Sequence, residues 1–283
     1  MGKTLFISDL DGTLLNSNAE ISPFTAKIIN NLLDNGIIFT YATARGLETA
    51  SKVTTVKNRI NFKYPAVYHN GSCVQNPQTG EYYKNCILDK EIMTETIKKI
   101  QNNKFFPLVY SLIDNRERFS WILGKGNDEL NFFLGSREND IRRHPVKDYG
   151  ELLNGDIHGV AFYAKYAEEL QEIADALNLN SNEYFAYHIQ EDTYKNDDGN
   201  KIYWLHIIRF DATKDIGVKE VQKLVGADKI ICFGDNINDI PMFNVSDEKY
   251  AVANALDEVK NIATAVIDSN DNDGVAKWLE KNA

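Results

Sequence analysis

Short apolar runs that end abruptly in small or polar side chains recur near both ends of the chain. Nearly continuous runs of this kind are typical of parallel strands whose two faces are both covered. The runs that predict strands are residues 4–8, 37–42, 65–69, 204–208, 229–233, 250–252 and 265–267. Between them, apolar side chains recur with helical spacing. In the first helix Ser22 predicts the N-cap, Pro23 takes the first helical position and Gly36 marks the end.

Further helices of this pattern are predicted at residues 47–56, 216–225 and 275–281. Strands and helices that alternate in this way predict an α/β fold with a Rossmann-like parallel sheet. In such folds ligands bind at the carboxyl ends of the strands. The polar residues that follow the predicted strands are therefore candidates for a functional site.

The pattern changes in the middle of the chain, where strands and helices mix without polar residues at the strand ends. Residues 76–80 predict a hairpin turn. Beyond it, strands are predicted at 108–113, 119–123, 157–164 and 184–190, and helices at 91–102 and 167–177. We interpret residues 82–203 as an α+β domain inserted into a parallel-sheet core that comprises residues 1–81 and 204–283.

The composition is that of a globular protein, with 43% hydrophobic and 25% charged residues in a chain of 283. This length accommodates two domains, and neither disorder nor a membrane protein is indicated. A net charge of −10 argues against a broad nucleic-acid-binding surface. Cys73, Cys86 and Cys232 have no disulfide or zinc spacing. Reduced, buried thiols in a cytoplasmic protein are therefore expected.

The first predicted strand ends in Asp9, Asp11, Gly12 and Thr13. Strand side chains alternate, so Asp9 and Asp11 are expected to point the same way. Two carboxylates so near each other repel, so they are unfavourable unless a cation lies between them or one of them is protonated. An acidic turn is one interpretation, since Asp-Gly turns are common. The other is a phosphoryl-transfer site, in which a carboxylate attacks phosphorus, a hard cation neutralises charge and a second carboxyl handles the leaving-group proton.

A second acidic segment, residues 234–239, follows the apolar end of another predicted strand. It carries Asp235, Asn238 and Asp239. Dense Asp and Asn in a loop commonly reflect turn chemistry. Carboxylate and carbonyl oxygens are also the ligands that Mg²⁺ prefers. Taken with the two aspartates of the first strand, this segment favours a magnesium site.

Three other positions have both a structural and a functional interpretation. Lys214 is either a solvated surface lysine or the partner of an anion, because a helix start disfavours an unpaired cation. Thr43 is either a strand-end hydroxyl or a donor to a phosphoryl oxygen. Asn70 and Gly71 are either a plain turn or part of the site.

The residues Asp9 to Thr13 resemble the DxDG(T/S) motif of the haloacid dehalogenase superfamily, whose members include phosphatases. Residues 234–239 resemble the GDxxND motif of its Cof-like hydrolases, subfamily IIB. Thr43 and Lys214 stand between these segments in the order of the four superfamily motifs, and the insertion is similar in place and size to the family's α/β cap. Ala44 departs from the glycine that the family often has there.

The resemblance implies a Mg²⁺-dependent phosphatase of small phosphorylated metabolites, with sugar phosphates as the suggested class. Asp9 is implied as the nucleophile that forms an aspartyl-phosphate, and Asp11 as the general acid/base. The implied ligands of Mg²⁺ are Asp9, the backbone carbonyl of Asp11 and Asp235, with Asp239 in support. The implied phosphate- or substrate-binding residues are Thr43, Ala44, Lys214, Asn238, Asn70 and Gly71.

Neither nucleic acid nor a membrane is expected as a partner, and the protein is expected to be a monomer or a homodimer. Two other functions stay open. A phosphomutase on the same fold would use the same aspartates but return the phosphoryl group to the substrate. A metal-dependent binding protein would have lost turnover altogether.

Overall fold

The computed structural model describes residues 2–56, 60–99, 105–114, 116–179, 184–191, 199 and 201–283. Its strands are β1 Thr4–Ser8, β2 Ile38–Tyr41, β3 Ala66–Tyr68, β4 Cys73–Gln75, β5 Tyr82–Asn85, β6 Leu108–Ile113, β7 Arg116–Ile122, β8 Arg143–Val146, β9 Asp156–Ala164, β10 Phe185–Glu191, β11 Tyr203–Arg209, β12 Lys229–Gly234, β13 Glu248–Val252 and β14 Ala265–Ile267. Its α-helices are α1 Pro23–Asp34, α2 Leu47–Ser51, α3 Lys90–Lys98, α4 Asp128–Gly135, α5 Tyr149–Leu152, α6 Ala167–Ala176, α7 Lys214–Val225, α8 Ile240–Asn244, α9 Asp257–Ile262 and α10 Gly274–Asn282.

The chain divides into two compact units. One comprises Met1–Asn85 and Ala212–Ala283, and the other comprises Cys86–Asp211. The sequence placed these boundaries earlier, after residues 81 and 203. The difference arises because β5 pairs with β4 in the first unit, whereas β11 pairs with β10 and β9 in the second.

The first unit is built on a five-stranded sheet in the order β14-β13-β12-β1-β2, in which all neighbours are parallel. Its strands are apolar because both faces are covered; every residue of β2, for example, is buried. Helix α1 begins as predicted, since the Ser22 side chain accepts a hydrogen bond from the Thr25 N–H and Pro23 follows it. The predicted α/β fold with a parallel sheet is confirmed.

The strand predicted at residues 65–69 belongs mainly to another sheet. β3 forms an antiparallel three-stranded sheet with β4 and β5, and its backbone meets the end of β2 at a parallel bridge between Ala42 and Val67. The predicted hairpin turn lies between β4 and β5. The helix predicted at 47–56 is shorter, because α2 ends at Ser51 and a wider helical turn, Lys52–Val56, follows.

The second unit contains a six-stranded sheet in the order β10-β11-β9-β6-β7-β8, antiparallel except for β7 with β8. Alternate residues of β9 belong to different hydrophobic clusters, so both sheet faces are covered: Val160 and Phe162 lie in one cluster, Ala161 and Tyr163 in the other. The strand predicted at 204–208 exists as β11, but it lies in this sheet and not in the parallel one. The end of the helix predicted at 91–102 lies outside the described residues.

The thiols of Cys73, Cys86 and Cys232 are buried and none of the three forms a disulfide, as expected. Among the described residues, none of the helices combines the length and the apolar character that a membrane crossing needs.

Candidate active site

Three neighbouring strands bring the predicted acidic and polar residues to one edge of the parallel sheet. β12, β1 and β2 lie side by side. Asp235 directly follows β12, Asp9 directly follows β1, and Thr43 lies just beyond β2. The Asp9 N–H donates to the Phe233 carbonyl at 2.9 Å, which holds the end of β1 against β12. Because carboxyl ends of parallel strands share one edge, residues far apart in sequence meet there.

Asp9 is buried and paired with a lysine. The Lys214 ammonium donates to Asp9 Oδ1 at 2.7 Å and to Asp239 Oδ1 at 2.7 Å. Lys214 is the first residue of α7, and its side chain is only 1% exposed. The anionic partners expected of this lysine are therefore two carboxylates of the protein itself.

Burial and mutual repulsion shift the ionisation of these groups. Burial alone lowers the pKa of Lys214, but Asp239 and Asp9 together outweigh it, so the pKa of Lys214 is raised and the ammonium stays charged. Burial raises the pKa of Asp9, and Lys214 opposes this rise. Burial, reinforced by repulsion from Asp239, raises the pKa of Asp235 to about 7. Asp9 and Asp235 therefore hold their protons more tightly than ordinary carboxyls, and a cation bound between them would favour their ionised forms.

The acidic residues fit a hard divalent cation. Asp9, Asp235 and Asp239 each offer an oxygen within 4.8 Å of the others. Asp239 already accepts hydrogen bonds at both oxygens, since Oδ2 accepts from the N–H groups of Asp235 at 2.9 Å and Asn236 at 3.0 Å. Asp9 and Asp235 are thus the freer ligands, and Asp239 supports them. An all-oxygen set of this kind is one that Mg²⁺ prefers.

The turn after β1 fits closely against the loop after β12. The Thr13 hydroxyl donates to Asp235 Oδ1 at 2.7 Å. Gly12 has φ +78°, and a Cβ there would lie 2.5 Å from Asp235 Oδ2. Glycine is required at this position by both the backbone conformation and the close approach of the carboxylate.

Asp11 lies apart from the acidic cluster and pairs with a residue that the sequence did not single out. The Arg45 guanidinium donates Nε–H to Asp11 Oδ2 at 2.8 Å and Nη2–H to Oδ1 at 2.6 Å. The Asp11 side chain is 48% exposed. A bidentate pair of this geometry fixes the direction of the carboxylate more firmly than a single bond.

The remaining predicted residues surround the end of β2. Thr43 is buried, its carbonyl accepts from the Asn70 N–H at 3.0 Å, and its Oγ1 accepts from the Arg45 N–H at 3.1 Å. Ala44 is exposed beside it. Asn238 Nδ2 donates to Asn70 Oδ1 at 3.0 Å, which links the loop after β12 to the turn His69–Gly71.

Asn254, from the loop after β13, contacts the turn after β1. Its Nδ2 donates to the Gly12 carbonyl at 2.7 Å, and its Oδ1 accepts from the Asn270 N–H at 3.0 Å. Asn270 in turn donates Nδ2–H to the Leu15 carbonyl at 2.9 Å. No spacing or composition signal marks these contacts, because they depend on how distant loops meet.

Comparison with known proteins agrees with this geometry. Residues 6–279 match the family model described as haloacid dehalogenase-like hydrolase. The chain belongs to this family. The predicted resemblance and the prediction of an enzyme of the hydrolase class are confirmed, and the match extends across both units.

Relatives of similar length carry phosphatase names. The chain is 26% identical over 290 residues to the 5-amino-6-(5-phospho-D-ribitylamino)uracil phosphatase YitU of Bacillus subtilis, covering 98% of this chain and 96% of YitU. It is 24% identical over 281 residues to a phosphoglycolate phosphatase of Methanopyrus kandleri, covering 98% and 96%. The crystal structure of TM0651 from Thermotoga maritima has the same fold, with a TM-score of 0.76, 24% identity and coverage of 100% and 98%.

Proposed function

We propose that this protein is a Mg²⁺-dependent phosphatase that hydrolyses small phosphorylated metabolites through an aspartyl-phosphate on Asp9. The observation that carries this proposal is the buried cluster of Asp9, Lys214, Asp235 and Asp239 at adjoining strand ends. It combines a nucleophile, a fixed cation and an oxygen-ligand set for a metal. Phosphoryl transfer needs these parts for positioning and for charge stabilisation.

Each residue has a distinct task in the proposed reaction. An Asp9 carboxylate oxygen attacks phosphorus, and the bond from phosphorus to the leaving oxygen breaks. Asp11 gives its proton to the leaving alkoxide, and then removes a proton from the water that attacks the aspartyl-phosphate. Water oxygen ends in the released phosphate, and Asp9 is regenerated.

The other groups hold charge in place. In this proposal Lys214 and Thr43 stabilise phosphoryl oxygens, and Thr43 Oγ1, which accepts from the Arg45 N–H, has its own hydrogen to donate. Asp9 and Asp235, with the Asp11 backbone carbonyl as the third proposed ligand, would hold Mg²⁺, which would supply charge neutralisation for the phosphoryl group.

Sugar phosphates and related phosphorylated polyols are the proposed substrates. The support is the name of one relative, YitU, whose substrate carries a phosphorylated ribityl group. We propose that the second unit acts as the cap that selects among such substrates. The support is that the residues proposed here to bind phosphate and metal act on groups that all phosphate monoesters share.

The test is phosphate release from a panel of phosphorylated sugars with Mg²⁺, in water labelled with heavy oxygen. Hydrolysis places one solvent oxygen in the free phosphate, whereas a phosphomutase forms a rearranged sugar phosphate without free phosphate. In Asp9→Asn the shape is kept and the nucleophile is lost, so turnover should fall by about 10³-fold or more. Near-normal turnover by Asp9→Asn would remove Asp9 from the mechanism, and no release from any ester would favour the binding protein.

A further inference from the structure

Asn254 contacts the turn after β1 from a loop that is distant in sequence. Its Nδ2 donates to the Gly12 carbonyl at 2.7 Å, and its Oδ1 accepts from the Asn270 N–H at 3.0 Å. An amide turned the other way would set its oxygen against the Gly12 carbonyl and its NH₂ group against the Asn270 N–H. The two contacts together therefore fix the orientation of the Asn254 side chain.

Asn270 is itself anchored to the segment that follows β1. It is 8% exposed, and its Nδ2 donates to the Leu15 carbonyl at 2.9 Å. The next residue, Asp271, accepts from the Ser17 N–H at 2.7 Å and from the Ser17 hydroxyl at 2.6 Å. The loop after β14 is therefore fixed to the segment after β1, and it presents the Asn270 N–H to Asn254.

The turn that Asn254 contacts has a residue of high backbone freedom at its centre. Gly12 has φ +78°, a conformation that glycine both adopts and leaves without strain. The Gly12 carbonyl belongs to the peptide that joins Gly12 to Thr13, so a rotation of this peptide moves the carbonyl and Thr13 together. The Thr13 hydroxyl donates to Asp235 Oδ1 at 2.7 Å. A contact that holds the Gly12 carbonyl therefore also holds the hydroxyl that orients Asp235.

We propose that Asn254 is a positioning residue for the proposed metal ligand Asp235. Its hydrogen bond to the Gly12 carbonyl keeps Thr13 in place, and the Thr13 hydroxyl in turn keeps the Asp235 carboxylate oriented to bind Mg²⁺. This inference rests on the proposed function, in which Asp235 holds the metal. Loss of a group that orients a metal ligand commonly lowers metal affinity by about 10- to 100-fold. Asn254 is one link further away than Thr13, so its loss should have a smaller effect.

The first experiment measures the dissociation constant for Mg²⁺ by calorimetry, without substrate. Asn254 is exposed, so Asn254→Ala removes its hydrogen bonds without opening a cavity in the core. The dissociation constant of this variant should rise about fivefold. Asn254→Asp places an oxygen against the Gly12 carbonyl and should also weaken binding, although an added negative charge alone would strengthen it. Unchanged binding by Asn254→Ala, or tighter binding by Asn254→Asp, would overturn the proposal.

Ser17→Ala is the matched control. It removes the Ser17 hydroxyl from Asp271, which lies beside Asn270, and leaves the contact between Asn254 and Gly12 in place. Its affinity for Mg²⁺ should equal that of the wild type. An equal loss in Ser17→Ala and Asn254→Ala would show that any loosening of the loop after β14 changes the affinity, and would remove the specific role of Asn254.

The second experiment tests the route through Thr13. Thr13→Val keeps the shape of the side chain but removes the hydroxyl that donates to Asp235, so the dissociation constant for Mg²⁺ should rise about tenfold or more. Adding Asn254→Ala to Thr13→Val should weaken binding no further, since contributions within one network are not additive. Losses that multiply, or an unchanged affinity in Thr13→Val, would contradict this route.

These outcomes are distinguishable from failure of the proposed function. A wild-type protein that binds Mg²⁺ but releases phosphate from no ester contradicts the phosphatase proposal, while the Mg²⁺ affinity of Asn254→Ala still decides the role of Asn254. An active wild-type enzyme whose Asn254→Ala variant keeps its Mg²⁺ affinity contradicts only this inference. A wild-type protein that binds no Mg²⁺ contradicts both.

Discussion

The carboxylate of Asp11 is paired with Arg45 and is about half exposed, and it is not one of the three clustered carboxylates Asp9, Asp235 and Asp239. This placement suits the proposed role of a group that exchanges protons with a leaving group. We predict that Asp11→Asn slows hydrolysis of sugar phosphates, which have basic leaving oxygens, about tenfold more than hydrolysis of activated aryl phosphates. The reason is that general acid catalysis increases the rate most where the leaving oxygen is basic. The measurement is kcat/KM for both substrate types.

The control for Asp11→Asn is its affinity for Mg²⁺. The backbone carbonyl of residue 11 is a proposed metal ligand, and the substitution keeps this carbonyl. An unchanged affinity with a selective loss on sugar phosphates would support the assignment. Equal losses on both substrate types would argue against Asp11 as the acid.

At the scale of single residues, the sequence located the acidic cluster because parallel strands bring their carboxyl ends together, whatever their separation along the chain. It also indicated an anionic partner for Lys214. It did not predict the Arg45 pair with Asp11 or the Asn254 contact with Gly12. Both contacts are set by loop conformations, which leave no periodic pattern in the chain.

The turn His69–Gly71 has no room for a side chain at its last residue. An ideal Cβ on Gly71 would lie 2.2 Å from the Thr213 carbonyl oxygen, which belongs to the backbone next to Lys214. We predict that Gly71→Ala lowers the free energy of unfolding by about 2 kcal/mol or more, through positive-φ strain and this clash. The measurement is denaturant unfolding.

Gly36→Ala is the matched control for this substitution. Gly36 also has positive φ, at +79°, but a Cβ there would meet nothing within 4 Å. Gly36→Ala should lower the free energy of unfolding by about 1 kcal/mol, because only the positive-φ strain applies there. An equal cost in both variants would show that the approach of Thr213 contributes nothing.

The pairing of β12 with β13 carries a pH-dependent contribution. Hydrogen bonds from Lys229 and from the Tyr250 hydroxyl lower the pKa of Glu248 below its ordinary value. A lowered pKa stabilises the fold above the unfolded-state value, about 4.3, and this stabilisation is lost as pH falls through the folded-state value. The stability difference between wild type and Glu248→Gln should therefore be present at pH 7 and disappear near pH 3. A difference independent of pH would contradict this origin.

At the scale of elements, apolar runs predicted most strands but not always their sheets. β11 has buried residues on both faces, with Leu205 and Ile207 in one hydrophobic cluster and Trp204 packed against another. A parallel strand in a covered sheet has the same pattern, so its pairing with β10 and β9 could not be predicted. The apolar run at β3 likewise predicted a strand but not its sheet. Its antiparallel pairing depends on β4 and β5, the hairpin that follows it.

The whole molecule consists of two units that each have their own hydrophobic core. The main cluster of the first unit contains only residues outside the insertion, such as Leu5, Phe39 and Phe233. The clusters of the second unit contain only residues within it, such as Phe162 and Leu205. All the candidate site residues lie in the first unit. The proposed division of chemistry and substrate choice between the two units can therefore be tested by experiment.

We predict that joining Asn85 to Ala212 through a short glycine-rich linker, in place of Cys86–Asp211, leaves a folded unit that hydrolyses a small aryl phosphate weakly. Its relative rates on different sugar phosphates should become nearly equal, because the groups proposed for the first unit act on the phosphoryl group, the metal and the leaving oxygen, and not on the rest of the sugar. Cooperative unfolding and Mg²⁺ binding by the shortened protein are the controls for folding. If the shortened protein kept the substrate ranking of the full chain, the specificity residues would lie in the first unit, in the loops around Arg45 and Asn70.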